Sequence, residues 1–191
     1  MVLGLTGFSG AGKSTVAALL IRQGFYHIDC DQVVHNEVYQ DPKVLDAIAA
    51  AFGAETVQEG VLDRRLLRNR TMGNPAAISR LNQVVMPSVM AAIERHLNTH
   101  QGEKVILDAP LLFEYGLEKR CDYTLSVIAE ETLALERIVQ RDSISEEDAK
   151  KRLSSQKTAA YYIDKSDYVI TNNKDSAALE MQVQELLKKI I

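Results

Sequence analysis

Short apolar runs alternate along this chain with longer stretches in which apolar residues recur every three or four positions. The runs Val2 to Leu5, "FYHID", "KVILDAP", "YTLSVIA" and "DYVITN" are strand-like, and the longer patterns between them are helical. Val16, Ala17, Leu19, Leu20 and Ile21 form the stripe of a first helix, closed by Gly24 ahead of "FYHID". The second strand ends at "DCD", so Asp29 and Asp31 are expected at the carboxyl end of a strand beside the first, on the same side if the chain stays extended. From Val33 to His100 the pattern is helical throughout, with no strand expected. "QVVHNEVYQ" and "PKVLDAIAAAFG" come first, the latter opened by Pro42 and closed by Gly53. A turn at Gly60 leads into the basic amphipathic "RRLLRNRT", and Asn74-Pro75 opens a helix that Pro87 should kink or end before "SVMAAIERHLNTH". Pro110 stops the third strand after Asp108, and "LLFEYGLEK" is expected to leave it as a helix. "EETLALERIVQRD", a Ser145/Asp148 capping box over "EEDAKKRLSSQ", and "SAALEMQVQELLKKII" supply the remaining helices. Strands alternating with helices predict an α/β fold, a five-stranded parallel sheet flanked by helices, with residues 33–100 as a helical insertion over one end of the sheet.

Composition narrows the functional classes. With 22 basic and 26 acidic residues the formal charge is −4, so no general basic field favours nucleic acid, and any phosphate ligand must be held by local groups. Cys30 and Cys121 are the only cysteines, too few for a disulfide framework and without metal-ligand spacing, which suits a reducing compartment. No signal-peptide pattern opens the chain and no run approaches ~18 apolar residues. A cytoplasmic protein that engages neither membrane nor nucleic acid is expected.

Between the first strand and the first helix, Gly7 to Ser14 fit G-x-x-x-x-G-K-[ST], a loop whose backbone N–H groups turn inward around phosphate oxygens. Lys13 then reaches the β- and γ-phosphates, Ser14 holds a metal ion, and the positive end of the helix faces the anion. Phosphoryl transfer also needs an acceptor end, where Asp31 can take the proton of an attacking hydroxyl. Asp29 either joins it, binds metal-held water, or caps the following helix. Asp108 at a strand end suits a carboxylate that assists Mg²⁺, or equally a turn before proline. Arg137 and Arg141 share one helical face and suit phosphate, although Glu136 and Asp142 beside them equally describe a solvated surface.

Together, "LTGFSGAGKST", "IDCD", "FG", "GVLDR", "PLLFE", "QRD", "SSQ" and "VITNN" make the chain resemble dephospho-CoA kinases, phosphate-loop enzymes related to nucleoside monophosphate kinases. The resemblance runs nearly end to end. It implies transfer of the ATP γ-phosphoryl group, with Mg²⁺, to the ribose 3′-hydroxyl of dephospho-CoA. It also implies a phosphate-loop core at 1–32 and 101–191, a lid at about 137–160, and an acceptor-side helical insertion at 33–100. Residue by residue, Gly10, Ala11, Gly12, Lys13, Ser14 and Thr15 would hold the ATP phosphates, and Asp31 would activate the acceptor hydroxyl. Arg137 and Arg141 would belong to the lid, Asn172 would lie near adenine, and Arg64 would contact the acceptor. Independently of the resemblance, the strand-end positions of Asp29 and Asp108 make them candidates to stand behind Ser14 at the metal. The chain departs from the family pattern at Gly7-Phe8, at His35 where arginine is frequent, and at Met86-Pro87 where His-Pro is frequent. Two other readings share the loop: a kinase for another small hydroxyl or nucleoside monophosphate, and a GTP-binding switch. The "NNKD" at Asn172 to Asp175 is one residue short of the guanine-reading spacing, and no D-x-x-G follows the third strand.

Overall fold

The computed structural model describes all residues, Met1–Ile191. In chain order its elements are β1 (Val2–Thr6), α1 (Lys13–Arg22), β2 (Tyr26–Asp29), α2 (Cys30–Asn36), α3 (Pro42–Phe52), β3 (Val57–Gln58), β4 (Val61–Leu62), α4 (Arg64–Thr71), α5 (Pro75–Thr99), β5 (Val105–Asp108), β6 (Tyr123–Ile128), α6 (Glu131–Asp142), α7 (Glu146–Ser154), α8 (Ala159–Lys165), β7 (Tyr168–Thr171) and α9 (Ser176–Ile190). Single 3₁₀ turns lie at Val38–Gln40, Ala54–Thr56 and Leu117–Arg120. The chain divides into two compact units: Met1–Ile28 with Gln101–Ile191, and Asp29–His100.

The first unit is built on a five-stranded sheet of order β2-β5-β1-β6-β7. β1 pairs in parallel with β5 and β6, and β6 with β7. β2 therefore does not lie beside β1, as the sequence pattern suggested; β5 comes between them. Burial gives the reason. All four residues of β5 are buried, as a central strand requires, whereas β2 exposes Tyr26 and half-exposes His27, which an edge position allows. Leu3, Leu5, Leu20, Ile106 and Leu125 are fully buried, and each contributes about 1.5–3 kcal/mol by leaving water.

Two elements of this unit differ from expectation. "LLFEYGLEK" forms turns and a 3₁₀ segment instead of an α-helix, because Gly116 takes the left-handed conformation, φ 69°, and interrupts it. Helix α8, absent from the sequence reading, starts where Thr158 accepts the Tyr161 N–H, and it buries Tyr162.

The second unit is mainly helical. Asp41, Asp63 and Asn74 cap α3, α4 and α5 by accepting backbone N–H groups of Lys43, Leu66 and Ala77. α3 buries Val44, Leu45, Ile48 and Phe52. A strand pair that the helical reading did not include, β3 with β4, closes through Glu59 and Gly60, both at positive φ, as a tight hairpin turn demands. Pro87 neither ends nor divides its helix: α5 runs unbroken for 25 residues. Proline forfeits one backbone hydrogen bond there, and the buried Val85 and Val89 on either side keep the helix packed. This helix is long and apolar enough to cross a membrane by length and composition, although the sequence reading found no such run. Its buried face, Val85, Val89, Ala92 and Ile93, packs with α2, α3 and α4 of the same unit.

Candidate active site

β1 delivers the chain into the glycine-rich loop, and α1 opens at Lys13 with Gly12 as its N-cap. No side chain caps this helix, so its first N–H groups remain available to a ligand. The loop needs its glycines for space as well as for conformation. At Gly12, φ 97°, a Cβ would run into the Asn172 amide, and at Gly10, φ 80°, into the Ala134 carbonyl.

The loop's polar edge is held from behind. The Asn172 amide donates to the Ala11 carbonyl at 2.9 Å, so the Gly12 N–H of the same planar peptide points the opposite way. Arg137 donates to the Gly10 carbonyl at 3.3 Å and to the Asn172 carbonyl at 3.0 Å. Arg141 reaches the Ser9 hydroxyl at 3.2 Å, and the Ser9 N–H donates to Gln156 Oε1 at 2.7 Å. Arg141 also forks onto Asp142, whose carboxyl is drawn down to about 2, chiefly by that hydrogen bond, with Arg152 adding to it. Arg137 and Asn172 thus brace the loop, while Arg141 and Gln156 meet its Phe8-Ser9 shoulder from the α6–α7 side.

Lys13 Nζ forms an ion pair with Asp108 Oδ1, and His27 Nε2 lies 3.1 Å from Asp108 Oδ2. Asp108 is only 4% exposed. Burial pushes its carboxyl up, but the His27 hydrogen bond and the Lys13 charge outweigh that and hold it below its ordinary value. Gly10 to Thr15, Lys13, Asp108, Arg137, Arg141 and Asn172 are therefore gathered in one unit.

Asp29, Asp31 and Arg64 belong to the helical unit. β2 stops at Asp29, so the chain does not stay extended through "DCD". Asp29 caps α2 by accepting the Gln32 N–H at 3.1 Å, and Asp31 sits in the first helical turn. Arg64 Nη2 lies 2.7 Å from His35 Nε2.

Sequence reasoning assigned nothing to His27 or Gln156. His27 is one residue of an edge strand and carries no pattern of its own; Gln156 stands in "SSQ", which marked the family without indicating its bond to the loop.

The dephospho-CoA kinase family profile matches residues 1–178. A dephospho-CoA kinase of Latilactobacillus sakei is 37% identical over 191 residues, covering 98% of this chain and 95% of its own. A crystal structure of a Thermus thermophilus protein superposes with a TM-score of 0.86 at 30% identity, covering 100% of this chain and 98% of the other. Dephospho-CoA kinase from Campylobacter jejuni superposes with a TM-score of 0.72 at 26% identity, covering 99% and 96%.

Proposed function

We infer the roles of the site residues from one premise: the chain belongs to the dephospho-CoA kinase family. It has the phosphate-loop kinase fold and catalyses the ATP-dependent phosphorylation of dephospho-CoA, the last step of coenzyme A synthesis. In the reaction, the acceptor's ribose 3′-hydroxyl oxygen bonds to the γ-phosphorus, the bond from that phosphorus to the bridging oxygen breaks, and ADP leaves.

The observation that carries the division of labour is the Lys13–Asp108 pair at the open N-terminus of α1. ATP places its phosphates against the N–H groups from Gly10 to Thr15. Lys13 leaves Asp108 for the β- and γ-phosphates, where its charge counts most as the γ-phosphoryl group moves. His27 then remains as the partner of the buried carboxylate. Arg137 and Asn172 keep the loop in its receptive shape, and Arg141 closes on the nucleotide from the lid at about 137–160. Asp31 accepts the proton of the attacking hydroxyl. Residues 33–100 present the acceptor, with Arg64 among its contacts.

The donors suit Mg²⁺. Ser14 offers an exposed hydroxyl in the first turn of α1 and Asp108 a carboxylate, hard oxygen groups, while no cluster of three or more His, Cys, Asp or Glu forms a protein-only cage. When bound beside Ser14 and Asp108, such an ion would supply charge neutralisation at the ATP phosphates.

The test is ADP release by purified protein with Mg-ATP, with and without dephospho-CoA, alongside adenosine and nucleoside monophosphates. Turnover that depends on dephospho-CoA is expected; preference for a nucleoside monophosphate would replace the acceptor assignment.

A further inference from the structure

Ser9 is held at two atoms by two different elements. Its N–H donates to Gln156 Oε1 at 2.7 Å, across 147 positions of the chain, and its hydroxyl accepts from Arg141 Nη2 at 3.2 Å. We propose that Gln156 is a positioning residue for phosphoryl transfer: by fixing the Phe8-Ser9 peptide it sets where Arg141 stands over the nucleotide. The proposal rests on the kinase reading above and on the lid part given there to Arg141, and it brings in a residue outside that set.

The loop turns at this peptide. The Ala11 N–H donates to the Phe8 carbonyl at 3.2 Å and closes a turn whose third residue, Gly10, takes φ 80°, as a type II turn requires. The carbonyl of the Phe8-Ser9 peptide is thus answered inside the loop, and its N–H is answered from outside by Gln156. A planar peptide held on both edges does not rotate. Phe8 is 6% exposed and its ring lies against Tyr162 of α8, centroids 6.1 Å apart, which anchors the chain just ahead of Ser9.

Gln156 stands at the junction between α7 and α8. Beyond α8 the chain is tied to the sheet: the Ser166 hydroxyl meets that of Ser126 at 2.5 Å, and Asp167 accepts the N–H and the hydroxyl of Thr124. On the other side, α7 is tied to α6 by the Arg152–Asp142 ion pair, and Arg141 forks onto the same Asp142. From Ser9 the contacts therefore run through Arg141, Asp142 and Arg152 into α7 and return to Ser9 through Gln156. A cavity of about 310 Å³ borders this circuit, with Phe8, Leu153, Gln156 and Thr158 in its wall. Packing around the Gln156 amide is incomplete there, so the hydrogen bond carries the connection.

The test uses the full chain carrying Gln156→Met, which keeps the length of the side chain and removes the acceptor oxygen. kcat/KM for ATP should fall about tenfold, the scale of one hydrogen bond, with KM for dephospho-CoA at the wild-type value. A double-mutant cycle then reads the connection to Arg141. In an Arg141→Ala background Gln156→Met should lower kcat/KM by less than about threefold, because the group it positions is gone. Wild-type kcat/KM for ATP, a matching rise in KM for dephospho-CoA, or the full loss repeated in the Arg141→Ala background overturns the part given to Gln156 while leaving the kinase reading intact. A wild type that does not phosphorylate dephospho-CoA overturns the reading itself.

Discussion

Lys13 and Asp108 are joined by an ion pair between the first turn of α1 and the last residue of β5, and His27 holds the other carboxylate oxygen at 3.1 Å. The lysine is committed to a protein carboxylate, and in the proposed role it exchanges that partner for phosphate. Lys13→Met should lower kcat by about 10²–10³, the usual scale for removing a charge that stabilises a transition state. It should also destabilise the nucleotide-free protein by about 1–3 kcal/mol, since Asp108 keeps only His27. Steady-state kinetics and urea unfolding measure the two effects separately; an unchanged unfolding midpoint would contradict the buried pairing.

Asp108 also sets an acid limit. Burial raises its pKa, but the His27 hydrogen bond and the Lys13 charge leave it below the ordinary 3.8. A carboxyl whose folded pKa lies below its unfolded value contributes stability at pH above the unfolded value and loses it as pH falls through the folded one. Wild-type stability should therefore drop below about pH 4, and Asp108→Asn should show a shallower drop across the same window. Thermal melts of both proteins from pH 6 to pH 2.5 would reveal the difference, and parallel curves would exclude Asp108 as a source.

The two α6 arginines should separate experimentally. Arg137 is half-buried and ties the Gly10 and Asn172 carbonyls together, so Arg137→Ala should lower the melting temperature and raise KM for ATP. Arg141 is exposed and meets only the Ser9 hydroxyl and Asp142, so Arg141→Ala should leave the melt within about 2 °C while raising KM for ATP or lowering kcat. Similar melts for both variants would deny Arg137 its bracing part.

These assignments differ in how far the sequence alone could carry them. The phosphate loop was legible because its chemistry is local: glycines, a lysine and a hydroxyl within eight positions of one another and flanked by strand and helix. The sheet was legible as a set of apolar runs, but its order was not. Whether β5 or β2 lies beside β1 depends on comparing their buried faces, and those runs are some 75 residues apart in the chain. The His27–Asp108 contact is likewise non-local, across 81 positions, and no spacing signals it. "DCD" left two local outcomes open, an extended segment or a helix cap, and the second is found: Asp29 takes the backbone N–H of Gln32, and that bond turns the chain into a helix start. In α5, burial on either side of Pro87 overrode a strong local breaker.

Asp31 lies in the helical unit, whereas every residue that braces the phosphate loop lies in the other. Asp31→Asn should therefore lower kcat by about 10²–10⁴, as expected for loss of a general base, and leave ATP affinity and melting temperature close to wild type. Equilibrium binding of a non-hydrolysable ATP analogue, measured beside turnover, isolates the effect. A variant that loses ATP binding in proportion to activity would move Asp31 out of the proton-transfer role.

The cysteines should be chemically silent in the folded protein. Burial, with smaller contributions from Glu118, Asp122 and Asp167, pushes the Cys121 thiol up to about 12, and the nucleophile in thiol chemistry is the thiolate. Its sulfur also fills the hollow above Gly4 of β1, where a Cβ would come within 2.7 Å of it, and Cys30 is 7% exposed at the start of α2. At pH 8 a disulfide reagent such as dithionitrobenzoate should release little or no colour from native protein over minutes and two equivalents per chain in denaturant, matching the two cysteines. Gly4→Ala should push the Cys121 sulfur aside, loosen the packing between β1 and the Leu117–Arg120 turn, and bring one thiol into reaction without denaturant. Rapid labelling of Cys121 in the native wild type would mean that the hollow above Gly4 opens readily, and Gly4→Ala would then have little left to change.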